Sequence, residues 1–292
     1  MRPKTDAVCL EIIRVRGDAP LGGRRLRLLD AIGDSIALGV GDRLLLRVEG
    51  EPDLRLHVRG RGPAHQRLDL ARPLGNAHLF LDVKPRFGIR DAFENLDRLD
   101  THLLGGLLTR HESKLELLAG ALHPEAWHNI RVTPVLRVVN VAQADFDLVV
   151  LDMGAQFSPE WNRVLQSART ILVVVEANVP SLWNLERRVQ ALTAFGIGPE
   201  RIRVILNRSH RGDEETVKSI ENEIKLPVFA CLPNDFAEAS TATNHGTPLN
   251  GSHSSALGAR YRELAARLAG VEAAAVPKRG SLGGIFAFGA RR

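Results

Sequence analysis

The sequence predicts an α/β domain: a doubly wound, mostly parallel sheet with helices on both faces. Three observations predict it. Short apolar runs rich in β-branched residues recur at residues 146–152, 171–176, 202–207 and 227–233. Helix-length amphipathic segments separate them. Three of the runs close on a polar residue: Asp152, Glu176 and Asn207. Runs that are apolar on both faces read as buried strands of a parallel sheet. Strand and helix alternating at this spacing implies right-handed crossovers, which lay helices on both faces.

The elements follow in order. Residues 8–15 read as a strand. Residues 43–48 and 54–58 read as a hairpin across the turn at 49–53, a local antiparallel pattern. Residues 88–96 and 101–110 have helical spacing, and 114–119 reads as a strand. The apolar positions of 132–144 recur at helical intervals, with Pro134 expected in the first turn, where no hydrogen bond is lost. Further helices are expected at about 159–168, 180–195, 213–224 and 254–269. The first of these has Ser158 as a cap and Pro159 at its first position. Three regions result: a divergent segment 1–75, the α/β domain 76–269, and a glycine-rich basic tail 270–292.

Composition narrows the function. Of 292 residues, 44% are hydrophobic and 25% charged, an ordinary globular balance. Aromatics are 5%, which offers no stacking platform for bases, so nucleic acid is not an expected partner. The net charge of +5 is concentrated before residue 79, where basic residues alternate with acids and leucines. That is a solvated surface and not a binding arm. Two cysteines, Cys9 and Cys231, lie far apart and fit a reducing compartment. The ten histidines form no ligand motif. No signal peptide and no apolar stretch of about 18 residues appears, so a cytoplasmic protein is expected.

Several segments in series resemble the CpaE/TadZ pilus-assembly family, a branch of the MinD/ParA-type P-loop ATPases. They are Leu79-Phe80-Leu81-Asp82-Val83-Lys84-Pro85-Arg86-Phe87-Gly88, Asn95-Leu96-Asp97-Arg98-Leu99-Asp100, and Leu107-Leu108-Thr109-Arg110-His111. The 146–152 strand follows, then Val179-Pro180-Ser181-Leu182 and Leu206-Asn207-Arg208. The series ends with residues 226–236, containing Leu232-Pro233-Asn234-Asp235, and Gly246-Thr247-Pro248-Leu249. The resemblance covers 79–249 with gaps, and no single piece is specific by itself. It implies an ATP- and magnesium-dependent switch, homodimerisation, and contacts with Tad (Flp) pilus secretion machinery at the cell pole or inner membrane.

The same resemblance sets requirements. A phosphate loop cradles phosphates with backbone N–H groups, its lysine neutralises their charge, and its Ser/Thr holds magnesium. Two candidate loops precede residue 75. Residues 17–24 have two correctly spaced glycines, but Gly23 stands where lysine is needed and Arg24 where the hydroxyl is needed. Residues 39–44 put Asp42 where it would repel a triphosphate. Neither satisfies the motif, and each also reads as an ordinary turn. Asp69-Leu70-Ala71-Arg72 occupies the place of an acid-rich strand end, with Ala71 where a second carboxylate would orient the attacking water. Positioning and electrostatics make up nearly all of phosphoryl-transfer catalysis, so impaired nucleotide binding and hydrolysis are expected and no residue is assigned to catalysis. Two accounts of the abrupt onset near residue 76 stand open: an upstream reading-frame error, and divergence to a pseudo-ATPase.

Candidate site residues follow from the matching positions. By resemblance, Asp152 would hold magnesium through water, and Asn207 and Pro233 (with Leu232) would hold the adenine. Read from the residues alone, Asp152 also suits an acid capping the next loop, and Asn207 a turn-forming strand end. Glu176 ends another strand at the edge where open α/β sheets gather ligands. In the tail, Ile285, Phe286 and Phe288 between basic residues suggest weak membrane-surface association, or else a disordered end. Three functions compete: a CpaE/TadZ-like pilus factor, an active MinD/ParA-type ATPase with an atypical phosphate loop, and a non-enzymatic interaction scaffold in which 1–75 is a separate β-rich module.

Overall fold

The computed structural model of the chain describes residues 10–13, 45–46, 65–69, 76–113, 115–122, 132–146, 148–153, 159–247, 249 and 255–268. The two candidate phosphate loops, the second hairpin arm at 54–58, Ala71, Ser158 and the tail 270–292 lie outside the described residues.

The apolar runs form the sheet. In chain order the strands are β1 (Leu10–Ile13), β2 (Leu45–Leu46), β3 (His65–Asp69), β4 (Thr109–Arg110), β5 (Leu115–Leu118), β6 (Leu148–Asp152), β7 (Thr170–Glu176), β8 (Ile202–Ser209) and β9 (Val228–Pro233). They lie in the order β4-β5-β3-β6-β1-β7-β8-β9, with β2 pairing to β7. β5, β3 and β6 are mutually parallel, as are β7, β8 and β9. β1 lies between these two blocks and runs antiparallel to both β6 and β7. β4 is antiparallel to β5. β2 is antiparallel to β7. The sheet is therefore mostly parallel, and three of its strands, β1, β2 and β4, reverse.

The helices are α1 (Ala77–Phe80), α2 (Ile89–Glu94), α3 (Thr101–Leu107), α4 (Val132–Asp145), α5 (Asn162–Gln166), α6 (Val179–Ala194), α7 (Glu214–Ile224), α8 (Phe236–His245) and α9 (Ala256–Leu268). Carboxylates and amides start several of them. Asp91 accepts the Gly88 N–H at 2.8 Å, Asp100 the Leu103 N–H at 2.7 Å, Asn178 the Ser181 N–H at 2.9 Å and Asp235 the Glu238 N–H at 3.0 Å. Each satisfies a donor that helix geometry orphans. Pro134 falls in the first turn of α4, as its missing N–H requires. The helix expected over 101–110 stops early. Leu108 turns extended, with ψ at 145°, and Thr109 and Arg110 pair with Leu117 and Glu116. A β-branched residue after Gly105-Gly106 favours that exit. For the hairpin expected at 43–48, the described part, Leu45–Leu46, pairs with β7.

Alternation along the strands sorts the core onto two faces. Leu68, Val149, Leu151, Ile171, Val173, Val175, Val204 and Leu206 pack under α2 through α7. Leu148, Val150, Leu172, Val174 and Ile205 pack against Leu257, Tyr261, Leu264 and Leu268 of α9, with Ala239 and Ala242 of α8 beside them. Leu115 and Leu117 extend the second face under Ala77 and Leu81. Burying each large aliphatic side chain contributes about 1.5–3 kcal/mol, so α9, with three leucines and Tyr261, supplies most of the cover on this face of the central strands.

Candidate functional site

Parallel strands bring their carboxyl ends to one edge, and the candidate residues lie there. Asp152 closes β6, Glu176 closes β7, Asn207 precedes the last two residues of β8, and Pro233 closes β9. Glu176 and Asn207 are direct register partners, and Ser209 is the partner of Pro233. Strand alternation fixes the side. Asp152 follows Leu148 and Val150, Glu176 follows Leu172 and Val174, and Asn207 follows Ile205. All three therefore belong to the sheet face that α9 covers. Asp152 is 1% exposed and Asn207 9%. β7 and β8 bring Glu176 and Asn207 together, and β9 sets Pro233 beside them. Asp152 stands two strands away, on the far side of β1.

A polar network surrounds this edge. Glu176 Oε1 receives the Arg208 guanidinium at 2.8 Å, and Asn178 Nδ2 donates to Glu176 Oε2 at 3.3 Å. Through its side-chain Oδ1, which accepts the Ser181 N–H, Asn178 caps α6. Arg208 holds a left-handed backbone, φ 52°, where the register between β8 and β9 breaks. Non-glycine residues accept that region at a cost of roughly 1–2 kcal/mol. Past the bulge, Ser209 Oγ donates to the Leu232 carbonyl at 3.1 Å, and Asn234 N–H donates to the Ser209 carbonyl at 3.0 Å. The ends of β8 and β9 are thereby tied into one rim.

Two further features mark this edge, the first of them not evident in the sequence. Arg208 is a site neighbour through its pair with Glu176; the signal for it is an acid and a base at the ends of adjacent apolar runs. Asp69 is the register partner of Asp152, so two acidic positions stand side by side where β3 and β6 end.

Among the described residues, no cluster of three or more His, Cys, Asp or Glu could enclose a metal ion. An amide beside a proline-ended strand suits the edge and face of a nucleobase, whereas a metal would need water or ligand oxygens to complete its shell around Asp152. Ile13, four residues before Gly17, lies opposite Val150 and Thr170, toward the amino ends of β6 and β7. A strand leading into a phosphate loop delivers it to the carboxyl edge, and β1 runs the other way.

No family model matches the chain. Its sequence is 27% identical over 130 residues to the septum site-determining protein MinD of Thermotoga maritima, covering 43% of this chain and 48% of that protein. The chain spans about half the length of the curated relatives it matches. Among solved structures it superposes on a ParA family ATPase from Chlorobium tepidum with a TM-score of 0.66 at 21% identity, covering 86% of this chain and 96% of that one. MinD complexed with Mg-ADP from Pyrococcus horikoshii gives a TM-score of 0.59 at 17% identity, covering 87% and 93%. The fold is that of the MinD/ParA-type P-loop ATPases, and the sequence is related to MinD.

Proposed function

We propose that this chain is a CpaE/TadZ-like factor for assembly or localisation of a Tad (Flp) pilus. In it, nucleotide binding and hydrolysis are impaired and a scaffold role remains. The observation that carries the impairment is the direction of β1: it runs antiparallel to β6 and β7, so its carboxyl end, Ile13, points away from the edge that holds Asp152, Glu176 and Asn207. Ordered matching segments support the pilus assignment. Val179-Pro180-Ser181-Leu182 begins α6, and Leu232-Pro233-Asn234-Asp235 ends β9 and caps α8. Both belong to elements that meet the carboxyl edge.

On this reading Asn207 and Pro233 are the remnant of an adenine site and Asp152 of a magnesium site. The partners are pilus secretion proteins and a second copy of the chain. The site of action is cytoplasmic, at the inner membrane or pole. Among the described residues no helix is long and apolar enough to cross a membrane.

The test has two arms. Titration with a fluorescent ATP analogue and magnesium should give no saturable binding in the micromolar range, and phosphate release should match buffer. In the host, deleting the gene should abolish surface pili, and an Asp152→Asn copy should restore them. Pili that persist after deletion would end the pilus assignment, and failed rescue by Asp152→Asn would end the scaffold role. A second reading, an active ATPase with an atypical phosphate loop, draws on the Asp69–Asp152 register. Micromolar binding with turnover would establish it.

A further inference from the structure

The outer edge of β9 carries an inference of its own, independent of any nucleotide. β9 is the last strand of the sheet among the described residues. Its sequence, Val228-Phe229-Ala230-Cys231-Leu232-Pro233, has no charge over six residues. An uncharged apolar edge strand presents unpaired N–H and C=O groups as a template for another chain.

Here two of those groups are occupied by side chains from the two flanking helices. Glu221 of α7 reaches across to accept the Val228 N–H at 2.9 Å. Arg267 of α9 donates to the Phe229 carbonyl, and its guanidinium lies over the Phe229 ring, 4.1 Å from the centroid. Arg203 of β8 approaches the same ring at 5.4 Å. The register with β8 shifts between Val228 and Ala230, so Phe229 lies in a local irregularity that breaks the regular ladder. Proline closes the strand at residue 233 and precedes it at 227, removing a donor at each end.

We propose that Glu221 and Arg267 guard the β9 edge, using up two of the backbone groups, at its amino end, that a second copy of this chain would need to add its own β9. A carboxylate on an N–H and a guanidinium on a carbonyl are charge-assisted bonds, stronger than the amide pairing they exclude. Both also put an ionised group where an incoming apolar strand would lie.

Cys231 reports on the edge directly, because it is exposed midway along β9. In a Cys9→Ser background it is the single thiol. Two β9 strands paired antiparallel about residue 231 would bring the two sulfurs within disulfide reach. The experiment exposes the parent, Glu221→Ala, Arg267→Ala and the double variant to a thiol oxidant at matched concentrations. Cross-linked dimer is scored on non-reducing gels, with circular dichroism to establish that each variant is folded. The double variant should cross-link at least tenfold more than the parent, and each single variant by an intermediate amount. The two single variants carry the test where the double variant does not fold. Folded variants that cross-link no more than the parent would overturn the proposal, as would a parent that already cross-links fully.

Discussion

Arg208 and Glu176 form an ion pair of 2.8 Å between adjacent strand ends, and one of its partners sits in a left-handed backbone at φ 52°. The pair is partly exposed and adds under about 1 kcal/mol, less than the backbone conformation costs. Replacement by glycine should therefore cost little, since it removes the pair and the strain together. Replacement by alanine removes the pair and keeps the strain. In thermal melts Arg208→Ala should be less stable than Arg208→Gly by about 1 kcal/mol. Equal melting temperatures would show that strain at residue 208 is not stored.

Gly246 ends α8 with φ 61°, and a Cβ there would lie 2.3 Å from the Asp82 Cβ and 2.7 Å from the Asp82 nitrogen. Asp82 is itself left-handed, φ 47°, and two of the atoms met are its backbone N and Cα. Gly246→Ala should lower stability by about 2 kcal/mol or more through overpacking and strain, read as a lower urea midpoint at unchanged slope. An unchanged midpoint would refute the close approach of α8 and the loop after α1.

Arg201 caps a helix from a distance in sequence. Its guanidinium donates to the carbonyls of Leu165, at 3.2 Å, and Gln166, at 2.9 Å, where α5 ends, and also to Ala168. Arg201→Ala should cost about 1–2 kcal/mol. Arg201→Lys should recover only part of this, because an ammonium lacks the planar fork. Urea titrations of the two variants check both statements.

Burial pushes His111 below the ordinary imidazole value of 6.5, and Glu112 opposes the shift. The unfolded chain therefore binds the proton more readily than the folded one. This contribution is fully present above pH 6.5 and is lost as pH falls below it toward the depressed folded value. His111→Asn should flatten the stability profile in that interval. A profile equally steep with and without the imidazole would discount it.

How far the sequence foretells this molecule depends on whether chemistry is local. β6, β7 and β8 are legible because a run buried on both faces must be apolar throughout, and their polar last residues mark the ligand edge. β3 is not legible. His65-Gln66-Arg67-Leu68-Asp69 has no strand-like composition, and only its place between two parallel partners makes it one. The same is true of β4, two residues long. Asp152, Asn207 and Pro233 reach one edge of the sheet because parallel register depends on strand direction and not on side-chain detail. The Arg208–Glu176 pair joins residues 32 positions apart, and no local pattern encodes it.

One face of the central strands is closed by α9, which ends at Leu268. During synthesis, β6 through β8 thus emerge before the helix that supplies Leu257, Tyr261, Leu264 and Leu268 to that face. That apolar surface stays open to chaperones until α9 has left the ribosome, so premature stops before α9 should yield insoluble product instead of a smaller working protein.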